Sequence, residues 1–489
     1  MSDIKILAKQ TVVYGLPSII GKILNYLLVP LHTYLFLPKD YGVVSELYAW
    51  IALLIVILTF GMETAFFRFS VLEKDKNKVF STTVLPVVFV VVVFIALTTF
   101  FSQNIAVLMR YPEHPEYIIW LAFIVGIDVL SSLFFARLRA LNKAFTFAGI
   151  RITNILINVA LNLILLIVFP QLVAGVNAIF VANLTATVVT FLLLLIQKRH
   201  FEFSFDRQLF KKMLVYALPL LIFGLAGVIN ETFDRVMLKY LSPQEIAQSQ
   251  VGIYSACYKI SVMMTILIQA FKYAAEPFYF NKSVQSDAKE TYSRVMNYFV
   301  LICSFVFLLI ILNIDIVKFF VGTNYHEGLG VVSILLIANL MLGVFYNLSV
   351  WYKNTGKTQY GAFISLVGVA ITLGFNYALI PHIGYYAAAW TTLICNVVMV
   401  ILSYIYGQKY YYIRYNLKRL AFYFFTALIF YGISLAIPVE HSWVKLTCNN
   451  VLILIYLAVV LYPQRTSIKL LIRQAPLKRI YGNFKNKNR

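Results

Sequence analysis

About fourteen runs of mostly apolar residues, separated by short polar segments, constrain this chain more than any other feature it has. A helix needs roughly 20 such residues to cross about 30 Å of hydrocarbon. Lipid offers no partners for backbone polar groups, so only helices or closed barrels span it. The runs lie at about 11–36, 41–68, 80–102, 117–137, 147–169, 175–197, 212–240, 251–280, 292–313, 328–352, 358–380, 385–407, 418–437 and 446–463. They predict an all-α integral membrane protein of about fourteen transmembrane helices. Only 12% of the 489 residues are charged and 61% are hydrophobic. A soluble domain carries about 25% charge, so water cannot be the solvent for most of this surface.

The net charge of +21 is an orientation signal rather than a nucleic-acid footprint. Thirty of the 41 lysines and arginines fall in eight short segments that alternate with the apolar runs, from Lys5 and Lys9 to the tail Arg465–Arg489. The seven intervening loops hold about five. This bias predicts that both termini are cytoplasmic and that the positive loops face anionic lipid head groups. Cys257, Cys303, Cys395 and Cys448 lie in apolar runs without pairing or metal-ligand spacing, so neither disulfide nor zinc is expected. Pro17, Lys22 and Asn25 interrupt the first run, and no small-residue cleavage site follows. It reads as a retained helix rather than a signal peptide. Pro17, Pro86, Pro219 and Pro277 fall inside or near the ends of runs, where each frees a carbonyl and kinks its helix.

The chain repeats itself. Val13-Tyr14-Gly15-Leu16-Pro17 recurs as Val215-Tyr216-Ala217-Leu218-Pro219. Tyr41-Gly42 and Ser45 answer to Val251-Gly252 and Ser255, and Asn142-Lys143 and Asn162 to Gly356-Lys357 and Asn376. Each copy holds six helices, an even number, so both enter the membrane the same way. That is a parallel repeat about an axis along the membrane normal. The expected organisation is a six-helix lobe over 1–198, a cytoplasmic linker over 199–211 and a pseudo-symmetric second lobe over 212–407. Two further helices follow in 408–463, then a basic cytoplasmic tail over 464–489. The tail, with Ile468, Leu470, Leu471, Ile472, Leu477 and Ile480 spaced along it, lies on the membrane surface or is disordered.

No enzyme signature is present. Gly356-Lys357-Thr358 resembles the end of a phosphate-binding loop, but Trp351 stands where its first glycine belongs and no strand precedes it. The six histidines are scattered, without HExxH, and there is no GxSxG. No enzyme, cofactor or metal is expected. Transport energy would come from an ion gradient, the membrane potential or the substrate's own gradient.

Charges inside the apolar runs carry the most information. One at a helix centre costs about 2.5–3.5 kcal/mol on the insertion scale, against about 0.5 returned by a leucine. The cations are Lys22, Arg68, Arg151, Arg235, Lys259 and Lys272; the anions are Glu63, Asp128, Glu231, Asp234 and Glu276. Facing one cavity, the cations would make a ladder that binds an anionic, phosphorylated substrate. Simpler readings compete. Arg68 and Arg151 snorkel to the interface; Lys272 and Glu276, four apart, satisfy each other; Asp234 pairs with Lys259. Glu63, Asp128, Glu231 and Asp234 are either counter-ions or coupling sites for a cation or proton, with Arg68 or Arg151 the expected partners of Glu63 and Asp128. Asn154, Asn158 and Asn162 form one stripe, either helix–helix contacts or a surface for sugar hydroxyls.

Several motifs resemble the polysaccharide-biosynthesis flippases, the Wzx-type branch of the multidrug/oligosaccharidyl-lipid/polysaccharide (MOP) exporter superfamily. They are Leu37-Pro38-Lys39-Asp40-Tyr41-Gly42, the segment Gly61 to Arg68, Tyr216-Ala217-Leu218-Pro219, Asp234-Arg235, Val251-Gly252-Ile253-Tyr254-Ser255 and Asn376 to Gly384. Each is short; their order and spacing from Thr11 to about Tyr406 carry the likeness. The resemblance implies two six-helix lobes plus two extra helices. It implies that undecaprenyl-pyrophosphate-linked oligosaccharide is moved from the inner to the outer leaflet of a bacterial cytoplasmic membrane, with membrane lipids and other polysaccharide assembly proteins as partners. Alternatives are a drug/cation antiporter of the same superfamily, a lipid II flippase, or a membrane-embedded polymerase or acyltransferase. The last would carry a large outer loop or a His/Asp pair, which the sequence lacks.

Overall fold

A computed structural model describes residues 24, 26–173, 175–197, 204–283, 285–437 and 442–462. Among them the chain is helical throughout, without strands, and thirteen helices are long and apolar enough to cross a membrane. The described part of the first expected span begins at residue 24, so Lys22 and Pro17 lie outside the described residues, as does the tail from 463.

The helices are α1 (Pro38–Thr59), α2 (Met62–Leu72), α3 (Lys76–Phe100), α4 (Ser102–Leu108), α5 (Pro115–Ala140), α6 (Ala144–Leu163), α7 (Asn177–Ile196), α8 (Arg207–Leu241) and α9 (Gln244–Lys282). They continue as α10 (Ala288–Leu312), α11 (Ile314–Val317), α12 (Gly330–Leu348), α13 (Val350–Asn354), α14 (Thr358–Ile383), α15 (Tyr385–Tyr410), α16 (Leu417–Ala436) and α17 (Ser442–Leu461). Two compact units result, 1–282 with 319–411, and 283–318 with 412–489. In the second, the Asn449 amide of α17 donates to the Leu312 carbonyl of α10 at 2.7 Å, and the Tyr456 hydroxyl to the Tyr423 carbonyl of α16 at 3.4 Å.

Local chemistry sets the helix starts. Asp75 Oδ1 accepts from the Asn77 and Lys78 amides at 3.0 Å each and opens α3. Asp206 Oδ1 does the same for Gln208 and Leu209 at the head of α8, at 2.9 and 3.0 Å. Each satisfies amides that have no partner within the helix. Pro38 and Pro115 stand in first turns, where the missing N–H costs nothing. Pro86, Pro219 and Pro381 lie within helices.

The single helix expected over 41–68 is broken. Phe60 and Gly61 both have positive φ, 33° and 75°. A Cβ on Gly61 would stand 2.7 Å from the Ala217 carbonyl oxygen of α8. The break lets two backbones approach where a continuous helix would collide. A second close crossing joins α1 and α9: a Cβ on Gly42 would lie 2.0 Å from the Gln248 oxygen, and one on Gly252 1.9 Å from the Pro38 oxygen. Small residues that bring backbones together are the usual helix contact in lipid. In the first unit α1, α8 and α9 therefore lie against one another.

Candidate substrate path

Because α1 and α8 meet at Glu46 and Lys239, the N-terminal end of α1 and the C-terminal end of α8 share one side of the first unit. The opposite side carries Arg68, Lys78, Arg137 and Arg139, and is called the basic side below.

The side of α1's start is held by a buried ion pair. Glu46 and Lys239 are 0% and 2% exposed, and Lys239 Nζ lies 2.6 Å from Glu46 Oε2. The Tyr111 hydroxyl donates to the same oxygen, the Trp50 indole to Oε1 at 3.0 Å, and Lys239 also donates to the Met109 carbonyl at 2.5 Å. The Gln248 amide of α9 donates to Tyr111 at 2.8 Å, and Lys239 Nζ sits 3.5 Å from the centre of the Tyr111 ring. One knot of side chains thus ties α1, α8, α9 and the 109–111 turn. Burial pushes the Tyr111 phenol well above its ordinary range, and the Glu46 carboxylate adds to the shift.

Lys239, Arg235 and Glu231 are spaced four apart on α8, so they occupy one face about 6 Å apart along the axis. Arg235 is buried. Its guanidinium donates to Asp234 Oδ1 and to the Glu231 carbonyl, both at 2.9 Å, and lies 4.4 Å from the centre of the Tyr258 ring. Tyr254 of α9 donates to Asp234 Oδ2 at 2.5 Å. Asp234 is therefore engaged by Arg235 and Tyr254. Glu231 is exposed, within electrostatic reach of Tyr258 and of Tyr346 on α12. Lys272 Nζ stands 4.6 Å from the centre of the same Tyr346 ring. Glu276, four residues on, pairs with Lys353. Lys259, half-buried, is within electrostatic reach of His32. The second half of the chain thus strings Lys272, Tyr346, Glu231, Tyr258 and Arg235 into a line of charges and rings that ends at the Glu46–Lys239 pair.

The remaining candidates gather on the first half of the chain. Glu63 pairs with Arg139, a residue outside the sequence candidates. Asp128 lies within electrostatic reach of Arg151, and the nearby Thr187 hydroxyl donates to Asn183 at 3.3 Å. Arg68 and Arg151 are exposed, each stacked on a ring, Tyr216 at 4.3 Å and Phe135 at 4.2 Å. The asparagine stripe is taken up internally: Asn154 donates to Thr190 at 2.8 Å, Asn162 donates to Asn158, and Asn162 Oδ1 accepts from His32 Nε2 at 2.8 Å.

Glu46 and Lys239 were missed because each stands near a run's end, where a charge reads as interfacial. The available signal was their complementarity: one acid near the start of one run and one base near the end of another. Among the described residues no group of three or more His, Cys, Asp or Glu can hold a metal ion.

No curated protein sequence matches this chain. In overall structure it is similar to the lipid II flippase MurJ in an inward closed conformation, at 11% identity, with a TM-score of 0.70 over 93% of this chain and 99% of that one. It is similar to an inward-facing multidrug resistance MATE family transporter of the MOP superfamily, at 16% identity and TM-score 0.61 over 82% and 94%. A Vibrio cholerae MATE transporter gives 13% identity and TM-score 0.58 over 84% and 98%. These likenesses establish a membrane-transporter fold. The sequence profile of the polysaccharide biosynthesis protein family matches residues 7–278, more than half of the chain, which therefore belongs to that family.

Proposed function

We propose that the protein flips an undecaprenyl-pyrophosphate-linked oligosaccharide from the cytoplasmic to the outer leaflet of a bacterial cytoplasmic membrane. The observation that carries this reading is the line of charges and rings from Lys272 past Tyr346, Glu231 and Tyr258 to Arg235, closed at its far end by the Glu46–Lys239 pair. With the termini in the cytoplasm, the basic side faces the leaflet where the substrate is made and the ion pair seals the outer side. A pyrophosphate entering from the basic side meets Lys272 first. Arg68 and Arg151 stand exposed on the other half of the chain. Cations bind phosphate through charge-assisted hydrogen bonds, while the lipid tail stays in hydrocarbon. Release outward requires the Glu46–Lys239 pair to part, with the two halves of the chain rocking against each other. An inside-negative potential favours outward movement of an uncompensated anion by about 2.3 kcal/mol per charge per 100 mV, so no coupling ion is required.

The test is the leaflet location of lipid-linked oligosaccharide in cells lacking the protein, read with an impermeant glycan probe on intact spheroplasts. Intermediates trapped on the cytoplasmic side are expected. Normal surface exposure, in a strain without a redundant flippase, overturns the proposal and directs attention to drug/cation antiport.

A further inference from the structure

Beside the Glu46–Lys239 pair lies an open groove of about 650 Å³, within the range of about 300–1,000 Å³ usual for ligand pockets. Its walls come from both halves of the chain: Phe94 of α3 and Leu121 of α5 face Phe233, Val236 and Met237 of α8, and Tyr377 of α14. The lining is almost wholly apolar. Water does not fill apolar cavities, and protein interiors of native density do not leave such volumes empty. At this depth in a membrane the available filler is hydrocarbon. Two lining residues also belong to the ion-pair knot. The Trp50 indole donates to Glu46, and the Met109 carbonyl accepts from Lys239.

Arg110 follows Met109, which lines the groove. Its backbone takes a positive φ of 60°. Its guanidinium donates to the Lys239 carbonyl at 3.3 Å and lies 5.2 Å from the centre of the Tyr240 ring, which also lines the groove. Arg110 is exposed, and among the described residues no carboxylate pairs with it. A cation without a counter-ion, set above a dry apolar groove, complements a molecule with one phosphate and one long hydrocarbon chain.

We infer that this groove holds an acyl chain of a phospholipid from the leaflet on the Glu46–Lys239 side, with its phosphate on Arg110. The lipid is a resident ligand, distinct from the transported molecule. It wedges between α3, α5 and α8, and holds Trp50 and Met109 where the ion pair needs them. The inference does not depend on the proposed substrate or on the orientation of the termini.

The experiment uses the full chain in nanodiscs of phosphatidylglycerol doped with phosphatidylglycerol bearing a diazirine at the end of one acyl chain. Adducts are mapped by mass spectrometry. Adducts at Phe94, Leu121 and Met237 are expected to exceed those at the exposed residue Leu454 of α17. Val236→Trp should remove most groove adducts and leave those at Leu454 unchanged. Arg110→Gln should reduce them several-fold. Leu121→Trp replaces Val236→Trp if the latter elutes as aggregate. Groove adducts no more frequent than those at Leu454, or indifferent to both tryptophans, overturn the inference. So does full displacement of the adducts by undecaprenyl phosphate, which would give the groove to the carrier lipid instead.

Discussion

Removing one member of the Glu46–Lys239 pair strands the other charge inside the protein, because both side chains are almost fully buried. Breaking a buried pair this way costs about 3–5 kcal/mol, whereas replacing both partners by apolar groups of similar volume is often neutral. Glu46→Met and Lys239→Met should therefore each lower the melting temperature in detergent, and Glu46→Met/Lys239→Met together should recover much of the loss. Additive losses would show that the two side chains are not coupled. Asp206 gives a second test at this scale. Lys78, 2.8 Å away, and the Leu209 and Gln208 amides hold its carboxyl at about 2, below the ordinary 3.8. A depressed folded value means that the contribution is present above about pH 4 and lost as pH falls toward 2. Asp206→Asn, which keeps the cap and loses the charge, should flatten the pH dependence of melting in that window; an unchanged slope contradicts the assignment. The sequence pointed to Arg235 and Asp234 through their charge alone. It did not reveal that Asp234 is engaged by Arg235 and Tyr254, or that Glu63 reaches Arg139 rather than Arg68, because partners are set by helix rotation and not by spacing along one run.

The elements were the most legible layer, since length and apolar character alone decide what crosses hydrocarbon. What escaped was the break at Phe60–Gly61. Nothing local demands it; the Ala217 carbonyl on a distant helix does. The same applies to Gly42 and Gly252, whose pairing the repeat hinted at but whose close approach only the fold creates. Gly42→Ala and Gly252→Ala should each push α1 and α9 apart and destabilise by at least the 1–3 kcal/mol typical of overpacking. Gly149→Ala, with nothing within 4 Å of its Cβ, serves as the control and should be tolerated. Equal melting temperatures for all three would mean that the crossing is looser than described. Gly61→Ala adds backbone strain to a clash and should be worse than Gly149→Ala by the same assay.

At the scale of the whole molecule, the class of protein was readable from composition and run length, and the family from short ordered motifs that its profile then matched over residues 7–278. The substrate path was only half readable. Its cations stood out against the apolar runs, but its closed end did not, since Glu46 and Lys239 acquire meaning only as a pair. If the line from Lys272 to Arg235 carries the pyrophosphate, Lys272→Ala should slow transport while leaving the melting temperature close to wild type. Transport intact in Lys272→Ala and in Arg235→Ala would remove this path from the account. The most direct measurement joins path and closure. The protein, with its native cysteines replaced by serine and carrying Glu46→Cys and Lys239→Cys, is reconstituted in vesicles with a fluorescent undecaprenyl-pyrophosphate oligosaccharide. Flipping is followed by quenching with an impermeant reductant. A bifunctional maleimide, whose thioether bonds withstand the reductant, should abolish flipping when it bridges the two cysteines and leave flipping intact in either single-cysteine protein. Undiminished flipping with the bridge in place would contradict the claim that this pair must part for the substrate to leave.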